Sequence, residues 1–215
     1  MMKKNNNITI VGGAGHIGLP LALLFASKKI EVNILDINTS SLEKISKNEM
    51  PFFEINGQKL LKLANKNKLL KISNDINNLK IKGPVIICIG TPVDEFGNPT
   101  FDLIIGCLNQ IKHQIKNQLV ILRSTLFPGT SKVIYNYLKG NKITNKISFC
   151  PERVLQGQSI EEIKTIPQII SAYDKNSIKL SKQLFSNITQ KHFLANPEEA
   201  ELAKLFTNSY RIYQI

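Results

Sequence analysis

The sequence predicts an α/β fold, a doubly wound and mostly parallel sheet that leads into the start of a long central helix. Three observations predict it. Short β-rich runs alternate with helical stretches, a glycine-rich turn joins the first run to the first helix, and an acid closes the second run. Taken in order, Ile8-Thr9-Ile10-Val11 reads as a buried strand entering Gly12-Gly13, and residues 16–27 carry Ile17, Leu21, Leu24 and Phe25 at helical spacing. Residues 31–35 form a second strand ending at Asp36. Helices are expected over 40–47 and 58–68, then an almost wholly apolar strand over 84–89, of the kind buried on both faces. A breaker-rich loop occupies 90–99. A strand at 119–122 leads through residues 124–130 into a helix reaching Tyr137, and a further strand at 146–149 closes at Pro151. Residues 168–172, 175–185 and 190–193 read as one more βαβ unit. Asn196-Pro197-Glu198-Glu199 is a helix start, with an Asn cap, Pro in the first turn and carboxylates at the positive end of the dipole. No Gly, Asn or Pro stops that helix before Ile215, so a longer architecture is expected to continue it.

Composition narrows the function classes. With 42% hydrophobic residues the chain can bury a core, which excludes a disordered protein, and no apolar run is long enough to span a bilayer. The polar start runs directly into a strand, unlike a secretory leader, so a cytoplasmic setting is expected. Three cysteines, none in a CxxC pair, argue against a disulfide framework or a structural zinc, and no metal is expected. The net charge of +12 suggests nucleic acid at first sight. Yet 25 of the 28 basic residues are lysines scattered along the chain, whereas nucleic-acid readers cluster Arg and Lys on one element, so no nucleic-acid partner is expected.

Gly13-Ala14-Gly15-His16-Ile17-Gly18 is a GxGxxG turn. Alone it is a weak signal, but here it follows a strand, opens a helix and precedes an acid at the end of the next strand, which is the Rossmann-type dinucleotide context. Gly13 is expected to make the tight turn, Gly15 to let a pyrophosphate approach the backbone and Gly18 to let the helix pack on the sheet. The N–H groups at the helix start, around His16 and Ile17, then hold the phosphates. Asp36, 18 residues after Gly18, is placed to accept hydrogen bonds from the adenosine ribose, and a carboxylate there repels a 2′-phosphate, which favours NAD over NADP. The bland alternative is that the glycines only shape a turn and Asp36 only caps the next helix. Thr91-Pro92 and Thr125 follow successive strands at the carboxyl edge, where open α/β sheets bind ligands, although either could be an ordinary turn residue.

In the second half, Cys150-Pro151-Glu152-Arg153-Val154-Leu155-Gln156-Gly157 places Glu152 after a strand, where a carboxylate beside a cofactor acts as a base or positions water. Lys204 and Asn208 are spaced i, i+4 and Arg211 follows at i+3, all on one helix face. A Lys and an Asn side by side stabilise an oxyanion, unless the face is simply solvated.

These pieces together resemble the UDP-glucose/GDP-mannose dehydrogenase family of nucleotide-sugar 6-dehydrogenases. The carriers are residues 11–27, Asp36-Ile37-Asn38, IGTPVDEFGNP (89–99), LRSTLFPGT (122–130), CPERVLQG (150–157) and EAELAKLFTNSYR (199–211), in the family's order and spacing. The CPER form resembles the branch acting on UDP-N-acetylhexosamines. The UDP-glucose branch has a second Glu where this chain has Gln156. The resemblance implies a four-electron oxidation of a primary alcohol to a carboxylate with two NAD, in cell-surface polysaccharide precursor synthesis, with a cysteine trapping the aldehyde before water releases the acid. It also implies that Thr125 and Glu152 position or activate water, that Lys204 and Asn208 hold the oxyanion, and that Arg153, with Arg211, anchors substrate. The family's cysteine lies beyond the helix carrying Lys204, and Cys88, Cys107 and Cys150 each read as small packed hydrophobes. The expectation is therefore an NAD-binding domain over 1–195 and the start of a central dimerisation helix over 196–215, without the C-terminal UDP-binding domain. Such a chain would be inactive alone and homodimeric when full length. A non-catalytic remnant, half of a split enzyme, or a small hydroxy-acid dehydrogenase with a similar Lys/Asn helix remain as alternatives.

Overall fold

The computed structural model describes residues 7–91, 102–143 and 146–212, the side chains of residues 211 and 212 excepted. Eight strands form one sheet: β1 (Ile8–Val11), β2 (Val32–Leu35), β3 (Leu70–Ser73), β4 (Val85–Ile87), β5 (Val120–Leu122), β6 (Ile147–Phe149), β7 (Gln168–Ala172) and β8 (His192–Leu194). Their order is β3-β2-β1-β4-β5-β6-β7-β8, so the chain winds outward from β1 one way and from β4 the other. This places the reversal point between β1 and β4, where doubly wound sheets open a crevice at their carboxyl ends. All neighbouring pairs are parallel except β6 and β7, which run antiparallel.

The helices are α1 (Gly18–Ser27), α2 (Thr39–Ser46), α3 (Gly57–Lys66), α4 (Asp102–Ile111), α5 (Thr130–Gly140), α6 (Ser159–Thr165), α7 (Lys175–Phe185) and α8 (Pro197–Ile212). Alternate strand residues feed two cores. Ile8, Ile10, Ile86 and Ile121 pack with α1, α3, α6 and α7 on one face, and Val11, Val85, Ile87, Val120 and Leu122 with α4, α5 and α8 on the other. Helix α1 is buried from Gly18 to Ala26, because α3 and α6 cover the side turned away from the sheet. Its sequence is correspondingly apolar all round rather than on one stripe.

Two differences from the sequence reading have physical causes. Strand β3 was not expected: Leu70 and Ile72 are only half-buried and alternate with an exposed Lys71, so this edge strand lacks the apolar run of its neighbours. The unit β7-α7-β8 is a parallel βαβ unit as expected, but it joins β6 antiparallel, and the crossover through α6 that reverses it has no local signature. The loop at 92–99 falls outside the described residues. Helix α8 starts where its cap residues predicted, with the Asn196 N–H donating to Glu199 Oε2 at 2.8 Å, one half of a capping box.

Candidate dinucleotide and catalytic site

The glycine turn is built from backbone. The left-handed residue is Gly12, at φ +74°, rather than the Gly13 expected to make the tight turn. Strand β1 ends at Val11, so the chain reverses one residue earlier, and the N–H groups of Gly12 and Gly13 both donate to the Leu35 carbonyl. Gly13 instead permits close packing, since a Cβ there would lie 2.8 Å from the Ile10 carbonyl oxygen and 3.0 Å from Ile34. A Cβ on Gly18 would lie 2.2 Å from the Gly12 carbonyl oxygen, so helix α1 enters against the turn as expected. Gly15 differs in kind. It is exposed, and a Cβ there would meet only the Gly12 carbonyl oxygen, at 3.5 Å.

No side chain caps the start of α1 at Ile17, whereas Asn38 caps α2 and Asp174 caps α7. An uncapped helix start behind an open glycine is the donor set that an anionic pyrophosphate satisfies. The Asp36 carboxylate accepts from the Ala14 N–H through Oδ2 and from the Asn38 N–H through Oδ1, both at 2.9 Å. It thus ties the turn to the entry of α2 and is held in one orientation at the tip of β2. His16 is exposed and stacks on Phe52 with ring centroids 4.0 Å apart.

The catalytic candidates sit on segments that side chains lock together. The Thr91 hydroxyl donates to the Thr125 carbonyl at 2.5 Å, joining the ends of β4 and β5. Glu152 is buried. Its Oε1 accepts the N–H groups of Arg153 and Val154 at 2.7 and 3.1 Å, and its Oε2 pairs with Arg123 Nη2. Arg123, 1% exposed, also donates through Nη1 to the Cys150 carbonyl and to Gln168 Oε1, and its guanidinium lies over the Phe185 ring. Helix α8 is docked by Glu201, fully buried, whose two oxygens accept from Gly129 and Ser131 N–H at 2.7 and 2.8 Å and so cap α5. Lys204 lies one turn further along that face and is also buried; Asn208 follows a turn later and is half-buried. Thr91, Thr125, Glu152 and Lys204 are therefore carried by segments that meet at the carboxyl edge. The Arg153 guanidinium donates to the Pro167 carbonyl, and the Arg211 side chain lies outside the described residues.

Arg123 and Glu201 fall inside quoted motifs and Gln168 opens a predicted strand, but the sequence reading gave none of the three a site role. Nothing local marks those roles, since the partners named above lie 27 to 72 residues away in the chain. A second unanticipated link is the 52–57 segment: Glu54 Oε1 accepts the Ile160 N–H, and the Ile55 N–H donates to the Gly157 carbonyl. It connects the glycine turn, through Phe52 and His16, to the segment after Glu152. Burial pushes Cys88 and Cys150 up to about 12 and Cys107 up to about 11, far from the range in which a thiolate forms near neutrality. Among the described residues no cluster of His, Cys, Asp and Glu could hold a metal ion.

Comparison with known proteins decides the lineage. The family described as UDP-glucose/GDP-mannose dehydrogenase family, NAD binding domain, matches residues 6–189. The chain belongs to that family. Among curated relatives, UDP-N-acetyl-D-mannosamine dehydrogenase of Methanocaldococcus jannaschii is 32% identical over 93% of this chain and 47% of its own length. The Campylobacter jejuni protein of the same name is 30% identical over 98% of this chain and 54% of its own. The solved structure of the Pyrococcus horikoshii UDP-D-ManNAc dehydrogenase superposes with a TM-score of 0.88 at 27% identity, covering 95% of this chain and 50% of that one. The chain thus spans about half the length of the curated relatives it matches. As a member of this family of NAD-binding domains its cofactor is NAD, and the uncapped α1 start, the open Gly15 and the anchored Asp36 are a donor and acceptor set that fits it.

Proposed function

We propose that the chain is the cofactor-holding part of a dehydrogenase that oxidises the primary alcohol of a nucleotide sugar, a UDP-N-acetylhexosamine, to the uronic acid. The observation that carries this reading is the interlocking of the Thr125, Glu152 and Lys204 segments beside the glycine turn, in a chain whose relatives are named UDP-N-acetyl-D-mannosamine dehydrogenases. Overall, one alcohol, two NAD and one water give one carboxylate, two NADH and three protons.

In this reading the start of α1, with Gly13, Gly15, His16, Ile17 and Gly18, holds the pyrophosphate, Asp36 takes the ribose hydroxyls, and Thr91 and Thr125 flank the nicotinamide end. NAD, when bound, accepts the hydride. The chain's own groups manage charge and water. Lys204, buried in a region of low dielectric, stabilises negative charge developing on the sugar oxygen, and Asn208 adds a neutral donor a turn away. Both Glu152 oxygens already accept N–H groups, which favours water positioning over proton abstraction. Arg153 and Arg211 are proposed to meet substrate phosphate or hydroxyls. The exposed stripe Leu202, Phe206 and Tyr210 on α8 suits pairing with a second copy. The setting proposed is the cytoplasm, where NAD and nucleotide sugars are at hand.

The nucleophile is not among this chain's three cysteines, all burdened by raised pKa values, so the chain is proposed to bind NAD without completing the oxidation. Calorimetry with NAD and NADP should show NAD at least about tenfold tighter, or about 1.4 kcal/mol. NADH absorbance with UDP-N-acetylmannosamine should show no turnover. Failure to bind NAD sinks the whole reading, whereas turnover near that of full-length relatives sinks only the division of labour.

A further inference from the structure

The opposite edge of the sheet carries a second concave feature. Between the amino ends of β4, β5 and β6 and the flank of α7 lies a cavity of about 370 Å³. Its rim bears Lys82 before β4, Lys116 before β5 and Lys146 before β6, while Pro84, Leu119 and Leu180 supply an apolar floor. Among the described residues no Asp or Glu lines it. Lys82 and Lys116 take part in no ion pair among the described residues.

The rim is braced from behind. Asn7 accepts the Lys82 N–H through Oδ1 at 3.1 Å and donates to the Lys80 carbonyl at 2.8 Å, which holds the approach to β4. Lys146 Nζ donates to the Asn117 carbonyl at 2.9 Å, which holds the approach to β5 and places that ammonium on the rim. Helix dipoles do not account for the three lysines. Their field falls off within the last helical turn. Lys116 stands five residues beyond the end of α4 at Ile111, Lys146 stands six beyond the end of α5 at Gly140, and no α-helix precedes Lys82 between β3 and β4. A lysine-rich composition accounts for many exposed ammonium groups, but not for three around one basin whose described lining holds no acid. Like charges converging on a concave surface repel one another and concentrate anions there.

We propose that this basin is a binding site for a small organic phosphate, its phosphate among Lys82, Lys116 and Lys146 and its apolar part on Pro84, Leu119 and Leu180. It is separate from the dinucleotide edge, so both ligands bind one chain together. A phosphate ester suits it better than a bare anion because the floor gains from covering an apolar group while the rim supplies only cations.

The test uses the whole chain with saturating NAD, phenyl phosphate and inorganic phosphate as probes, and amide chemical shifts together with calorimetry as readouts. The expected result is saturable binding of phenyl phosphate, at least fivefold tighter than inorganic phosphate, with shifts centred on Gly83, Asn117 and Leu119. Lys82→Gln with Lys116→Gln should weaken it at least tenfold and leave NAD affinity unchanged. The control pair Lys62→Gln with Lys66→Gln, on the exposed face of α3, removes the same charge elsewhere and should change binding less than twofold. Equal weakening by both pairs would overturn the proposal in favour of a general positive field. Shifts confined to the glycine turn, no saturable binding, or no preference for phenyl phosphate would also overturn it.

Discussion

The two halves of the carboxyl edge are held in opposite ways. Around the glycine turn the structure is made by backbone: Gly12 reverses the chain, Gly18 admits the helix, and Asp36 accepts two backbone N–H groups. Around Thr125 and Lys204 it is made by buried side chains, with Arg123 gripping Glu152 and Gln168 while Glu201 holds the entry to α5. The first half presents donors that an incoming anion completes. In the second, the Glu152 and Glu201 carboxylates already accept N–H groups, which ties the segments that carry them to their neighbours. A backbone site tolerates changes of side chain except where a Cβ collides, and a side-chain site fails when one partner is lost.

The sharpest way to break that contrast is Arg123→Met. It leaves the Glu152 carboxylate buried with its cationic partner gone, and removing one partner of a buried pair costs about 3–5 kcal/mol. Denaturant unfolding should show that loss, and Arg123→Met with Glu152→Gln should recover part of it in a double-mutant cycle. A single-variant loss below about 1 kcal/mol would mean that water reaches the pair. Next comes Gly18→Ala in the backbone half. Its methyl would sit 2.2 Å from the Gly12 carbonyl oxygen, backbone against side chain with no flexible end to yield, and overpacking of this kind costs about 1–3 kcal/mol. Thermal melting should fall accordingly, with NAD affinity falling too because α1 must shift away from the turn.

The same contrast explains what the sequence disclosed. Local features were legible. Helix α7 spans Lys175–Phe185 as its periodicity predicts, α8 begins at its Asn196 cap, and GxGxxG followed by Asp36 located the turn. Lys204 and Asn208 were legible as a helix-face pair, but the burial of Lys204 was not. That burial depends on Glu201 docking α8 against a loop 72 residues earlier, and no spacing rule reaches so far. Arg123 lies in a quoted motif, but its role was equally hidden, because its partners Glu152 and Gln168 are 29 and 45 residues away. Even in the turn, which glycine carries positive φ depended on where β1 ended, a boundary that pattern leaves open by a residue.

Glu201→Ala probes the side-chain half more gently. It removes the acceptor for two N–H groups at the start of α5, and losing a helix cap costs about 1–2 kcal/mol. NAD affinity should stay within about twofold, since the glycine turn lies on β1 and α1 and shares no contact with Glu201 among the described hydrogen bonds. Hydrogen exchange should show faster opening at the first turn of α5. An unchanged stability would show that water replaces the carboxylate at that helix start.

The smallest effect on stability and the clearest separation come from Gly15→Ala. Its added Cβ meets one atom at an ordinary van der Waals distance, 3.5 Å, and the residue is exposed without a positive φ, so the fold has no reason to object. Ala also carries less backbone entropy into the unfolded chain, which makes the stability change neutral or favourable by a few tenths of a kcal/mol up to about 1. The space that the methyl fills is the space through which a pyrophosphate approaches the start of α1. NAD affinity measured by calorimetry should therefore drop about tenfold or more while thermal stability holds. Gly18→Ala loses both and Gly15→Ala loses only one, so the pair distinguishes a glycine needed by the fold from one needed by the ligand. A Gly15→Ala chain that binds NAD as before would place the pyrophosphate elsewhere along the edge.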